Sequence, residues 1–291
     1  MLFRQSFSVL IGNKYLLRYL LMTGLWVLLI TVAMVGLYLF IDWKSPKTYS
    51  VDKNSGREFT SLLGFGMLFI NYILVYFVIN FYAAGLTANV LDIFQGQRRP
   101  YQIYIGVARK KAPTLFFYSA IAATVGVLLQ YIAERVRWVG WLISWFLGTL
   151  WSLGTLFVVP IIITSESGAP TAIKQSVKFF KTTWGENITA KVTVNFPLFL
   201  IQLSLMAVFI PLAFFLTAIT GHIEVFIGVF IVYILCSLTV AVIGSFANSL
   251  INIALFYFAA YRQVPPAFSA DLLNSIFVPR KPNRLLQKLR G

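Results

Sequence analysis

Ser245, Asn248, Ser249 and Asn252 recur at i, i+3, i+4 and i+7, so on a helix they make one polar stripe. Ser237 and Gly244 extend it. In an otherwise apolar segment such residues can do one of two things. They can hold helices together, since small and amide side chains allow close approach and hydrogen-bond across the contact, which is their commoner role. Or they can line a polar cavity that admits a headgroup or a small solute. In that second reading Asn89 joins Ser245, Asn248 and Asn252. Asn71 and Asn89 share one helical face of their own segment, with Asn80 opposite, and Asn195 and Gln202 lie seven residues apart in another.

Ionisable chemistry has little to work with. The chain has one histidine, His222, and one cysteine, Cys236. An internal disulfide, a cysteine metal site and a histidine-based catalytic pair are therefore not expected, and neither a metal nor a cofactor is implied. There is no P-loop, G-x-S-x-G or H-E-x-x-H pattern. Glu166 and Glu186 flank a lysine-bearing segment; local ion pairing or helix-end charge pairing is expected of them rather than acid–base work. His222 sits beside Glu224 in a short TGHIE turn and reads as a plain surface group. No enzyme is expected.

The elements that carry these residues follow from composition. Of 291 residues, 59% are hydrophobic and 11% charged, where a soluble domain carries about 25% charged. Mean hydropathy is +0.80. Charged residues bound six uncharged runs, of 23, 33, 22, 28, 32 and 37 residues. A helix crosses the hydrocarbon with about 20 residues, so each run allows one crossing. None reaches the roughly 45 residues that two crossings and a turn would need. Backbone polar groups in lipid must be paired within their own segment, which makes the spans helices. The expected fold is thus all-α, a polytopic bundle occupying residues 1–262. Its spans lie at about 19–41, 62–88, 113–133, 138–163, 193–219 and 224–246. A basic tail, 263–291, follows. The first run is too long for the h-region of a signal peptide. Pro211 is expected to kink the fifth span. Tryptophans 43, 138, 141, 145, 151 and 184 read as interfacial anchors.

Alternate connectors carry 18 of the 24 basic residues. Basic loops stay inside, which predicts a cytoplasmic (inner) membrane protein with both termini cytoplasmic. Within one of these connectors, Ile173, Val177, Phe180 and Trp184 share a helical face while Lys174, Lys178 and Lys181 take another. A short amphipathic helix in the membrane interface is expected, with its lysines toward anionic headgroups; a solvated connector whose lysines only set topology is the alternative. The pattern reads as one unit used three times, since basic segments with Phe3, Phe7 and Leu10, and with Arg109, Lys110 and Lys111, precede the first and third spans. Arg109, Lys110 and Lys111 join the three lysines as expected headgroup contacts. The tail, with Arg280, Lys281, Arg284, Lys288 and Arg290, suggests the same.

The stretches ATVGVLL (123–129), LGTLWSLGTLFVVP (147–160), AIKQSVKFFKTTWGENI (172–188) and NSLINIALFYFAAY (248–261) carry a resemblance. Over most of residues 1–280 the chain resembles a prokaryotic family of integral membrane proteins known only as a domain of unknown function. The resemblance implies a six-span inner-membrane protein and supplies no activity. The expected function is non-enzymatic organisation of lipids, preferentially anionic, or of a protein partner at the basic cytoplasmic face; nucleic acid is not expected. The alternative is a passive channel or transporter for a small or amphipathic solute, with its polar cavity between spans two, five and six.

Overall fold

The computed structural model describes residues 12–44, 53–136, 139–184 and 189–265. The amphipathic N-terminal segment with Phe3, Phe7 and Leu10, Trp138, Glu186 and the tail beyond residue 265 lie outside the described residues. So do the side chains of Trp43, Trp184, Asn195 and Pro197. Among the described residues there are nine α-helices and no strand. They are α1 (Leu17–Lys44), α2 (Lys53–Phe94), α3 (Tyr101–Lys110), α4 (Ala112–Arg135), α5 (Gly140–Gly154), α6 (Val158–Thr164), α7 (Ala169–Trp184), α8 (Thr189–Thr220) and α9 (Ile223–Tyr261). Six stretches are long and apolar enough to cross a membrane, the fourth running over both α5 and α6. The chain is an all-α polytopic bundle.

Two compact units divide it, one of Tyr15–Phe180 and one of Met1–Lys14 with Lys181–Gly291. In the first, burial concentrates at one end. Leu16 and Tyr19, then Ala84 to Phe94, Tyr104 and Ala108, Leu115 to Ala123, and Leu153 to Ile162 hold nearly all of its buried side chains. Beyond them the same helices show exposed apolar side chains, among them Leu21, Leu28, Phe65, Leu68, Leu128, Trp141 and Trp145. That is the surface a lipid-bathed helix presents, because hydrocarbon solvates leucine as well as a protein core does.

Where helices do pack, small residues and polar ties set the contact. A Cβ at Gly85 would lie 2.9 Å from the Tyr19 ring, so glycine makes room for that ring. Asn80 of α2 donates its amide to the Ser119 hydroxyl of α4 at 3.0 Å, and Ser119 donates on to the Leu115 carbonyl. This is the helix-joining role of an amide, here at a half-buried position. Ser144 of α5 donates to the Leu129 carbonyl of α4 at 2.8 Å.

The fourth span differs from the continuous helix expected over 138–163. It breaks at Thr155–Phe157 into α5 and α6. Pro160 gives the reason: it has no N–H for the residue 156 carbonyl, and its ring crowds that carbonyl, whereas the first turn of a new helix accepts it.

The second unit contributes the α8–α9 hairpin. Gly221 turns it with φ of 70°, a left-handed conformation open to glycine, and returns its N–H to the Thr217 carbonyl at 2.8 Å. α8 runs through Pro211 as one helix. At 39 residues, α9 is about 58 Å long, roughly twice the hydrocarbon thickness.

Gly140 opens α5 with its Cβ position 2.6 Å from the Ala133 carbonyl oxygen and 3.0 Å from that of Ile132. Both are backbone atoms, which cannot swing aside. Gly140→Ala is expected to destabilise the protein by about 1–3 kcal/mol, read as a lowered unfolding midpoint in detergent.

Candidate functional site

α7 is the lysine-bearing helix anticipated between spans four and five, and its docking is specific. Ala169, Ala172, Ser176 and Phe179 are its buried side chains. They recur at i, i+3, i+7 and i+10, one face of a helix. Ile173, Val177 and Phe180, the apolar face read from the sequence, are half-buried and flank this stripe. Small residues explain the difference: Ala172 and Ser176 let the backbones come closer than isoleucine or phenylalanine would. Gly154 meets them from α5, its Cβ position 3.1 Å from Val177 Cγ2. Phe179 packs edge-on against Phe157, ring centres 5.2 Å apart.

The centre of the contact is polar. The break in the fourth span leaves the Phe157 N–H without a helical carbonyl, and it donates to Ser176 Oγ at 3.1 Å, fully buried. Its neighbours stay local: Thr155 N–H bonds the Trp151 carbonyl, Leu156 N–H that of Leu153, and Val158 N–H that of Thr155. A hydroxyl from α7 therefore completes the backbone pairing of the broken span.

Lys174, Lys178 and Lys181 are exposed. At about 100° per residue they lie roughly half a turn from the buried stripe, with Ile173, Val177 and Phe180 between. On α3, Arg109 and Lys110 are exposed likewise, opposite buried Tyr104 and Ala108. Lys111 is drawn inward. Its ammonium donates to the Ser165 carbonyl at 2.9 Å and pairs with Glu166 at 2.9 Å. It therefore caps the carboxyl end of α6, and Glu166 is ion-paired across 55 residues of sequence rather than with a neighbouring lysine.

Asn89 is tied to another helix of its own unit. It is 1% exposed, and its amide donates to the Tyr19 hydroxyl at 3.1 Å. The Tyr19 ring packs on Tyr101, over which Arg18 sits at 4.3 Å. Nearby, Arg99 pairs with Asp92 at 3.3 Å and its N–H donates to the Tyr104 hydroxyl. Burial pushes the Tyr101 and Tyr104 phenols up from their ordinary range, so both stay neutral. The partner of Asn89, Tyr19, lies 70 residues away in sequence.

The α9 stripe does line a recess within the α8–α9 hairpin. Its volume is about 450 Å³, and Gln202 of α8 faces Ser245, Asn248, Ser249 and Asn252 across it. Gln202 donates to both the hydroxyl and the carbonyl of Ser237, while its Oε1 is buried without a hydrogen-bond partner. Ser249 donates to the Ser245 carbonyl at 3.0 Å.

A family model for a family of unknown function, DUF6159, matches residues 62–264. The chain belongs to this family. The DUF6159 match takes in α3, α7, the broken fourth span and the recess, and begins after Tyr19. No curated protein and no solved structure matches the chain.

Ser176→Ala would leave the buried Phe157 N–H without an acceptor. A loss of about 1–3 kcal/mol is expected, with cleavage by added protease rising first within 165–184. Lys178→Ala, on the exposed face, is expected to shift stability by less than about 0.5 kcal/mol. Unfolding in detergent and limited proteolysis read both.

Proposed function

We propose that this DUF6159 protein is a non-enzymatic, multi-pass inner-membrane protein. Both termini are cytoplasmic, and its basic cytoplasmic face gathers anionic lipids, with a protein partner as a further user of that face. One observation carries the reading. The lysines of α7 point away from a face locked onto the protein, with an apolar flank between the two. A helix in the membrane interface needs this arrangement: apolar side chains at the acyl boundary and cations at headgroup level. Each cation near an anionic surface contributes about 1 kcal/mol, so three contribute about 3 kcal/mol, and Arg109 and Lys110 add to them. Because the Ser176 bond and the Phe157–Phe179 contact already hold α7, little ordering cost is left to offset that attraction.

The orientation rests on the 18 of 24 basic residues that alternate connectors carry. A Lys178→Cys variant made in a Cys236→Ser background is expected to react with a membrane-impermeant maleimide only in inside-out vesicles. Labelling from the periplasmic side of intact cells would reverse the assigned topology.

Replacing Lys174, Lys178 and Lys181 together by Glu tests the lipid reading. Retention of phosphatidylglycerol by the purified protein, followed by native mass spectrometry, is expected to fall about tenfold or more. The unfolding midpoint in neutral detergent should hardly move, since these side chains are exposed. Equal phosphatidylglycerol retention by both proteins would count against the reading.

A further inference from the structure

The recess of the α8–α9 hairpin has no part in the basic-face reading, and its chemistry differs. Among the described residues lining it none is ionisable: the polar ones are Gln202, Ser245, Asn248, Ser249 and Asn252, and the rest are small or aliphatic. Its volume, about 450 Å³, falls in the roughly 300–1,000 Å³ range of small-ligand sites. Burying a phosphate or an ammonium there without a counter-charge would be costly. An uncharged group with hydroxyls is what amides and serines can pair with, as donors and as acceptors. Gln202 supplies a second indication, a buried carbonyl oxygen with no donor at the edge of the recess.

Depth narrows the source. The Gly221 turn, with exposed His222 and Glu224, marks one membrane surface. From there Gln202 lies about 27 Å along α8, and Ser245 to Asn252 lie about 33–44 Å along α9. With a hydrocarbon core about 30 Å thick, the recess straddles the level where acyl chains meet headgroups at the opposite surface. Ser245 is exposed at its mouth, and Phe199, Leu203, Leu235 and Leu238 of the same hairpin expose apolar side chains.

We propose that this recess binds the uncharged, hydroxyl-bearing glycerol end of a lipid of the diacylglycerol class, whose acyl chains lie along the apolar flank of the hairpin. Its one free hydroxyl can donate to the Gln202 carbonyl oxygen, and its ester carbonyls can accept from the serines and amides of the recess. A free polyol would share that pairing but not the apolar contact.

The test uses the full chain in detergent with dioleoylglycerol as probe, adducts being followed by native mass spectrometry. Ser245→Leu fills the exposed mouth without touching a packed core, and Asn252→Leu removes one of the amides. Each is expected to weaken the dioleoylglycerol adduct about tenfold, with excess free glycerol failing to displace it. The Lys174, Lys178 and Lys181 charge reversal should leave this adduct unchanged, which separates the site from the anionic-lipid surface. An adduct as strong in both leucine variants as in the parent would overturn the site. Displacement by free glycerol would overturn the lipid as its source.

Discussion

Inside a bilayer a backbone N–H has nothing but protein to bond, and the chain's architecture follows from that. Six uncharged runs become helices because a helix closes its own hydrogen bonds. The same constraint bears hardest where a helix is interrupted. At the break the Thr155, Leu156 and Val158 N–H groups bond locally, and Phe157 turns to Ser176. At the interruption α7 thus supplies the acceptor for the Phe157 N–H. A surface helix, which propensity and amphipathicity alone would leave free to float, becomes an integral part of a membrane span.

The distribution of burial has the same origin. Lipid removes the hydrophobic drive that pulls helices together in water, so contacts must come from fit and from polar pairs. They gather where those devices are. Gly85 admits the Tyr19 ring, Asn89 ties that ring's hydroxyl, and Asn80 reaches Ser119. Away from these ties the helices present Leu, Ile, Val and Phe outward. The packed end also carries α3 and α7, whose exposed cations stand clear of their buried faces. Lys111 bridges the two neighbourhoods by holding Ser165 and Glu166 from the start of α4.

Much of this was legible in the residues and some was not, for reasons that can be named. The six spans were legible because a bilayer excludes charge, so charged residues punctuate the chain. α7 was legible as a helix from the agreement of its apolar and lysine phases. Its docked face lies about a quarter turn from the apolar face that the sequence marks. Hydrophobicity points to the largest side chains, Ile173, Val177 and Phe180, whereas close approach selects the smallest, Ala172 and Ser176. Asn89 shows a second limit. An amide on an apolar helix announces that it needs a partner, but nothing local says that the partner is Tyr19 rather than an amide of span six. The break in the fourth span had a visible cause in Pro160. What could not be read was how the broken backbone would be completed, since Ser176 is an ordinary serine in a polar stretch.

The angular arrangement of α7 has a consequence for what its charges do. A helix held only by its own amphipathicity can roll and slide, and its lysines then act as a diffuse charge. α7 is pinned by a buried hydrogen bond and an aromatic contact on one side, so the direction of Lys174 and Lys178 is set by the protein. Charge fixed in direction and depth discriminates among surfaces by geometry as well as by sign. The recess of the α8–α9 hairpin differs in kind: among its described lining residues the polar groups are uncharged amides and hydroxyls. One chain thus carries two kinds of polar surface, sorted by a single rule. Charge stays where water and headgroups can solvate it, and uncharged amides and hydroxyls extend to where they cannot.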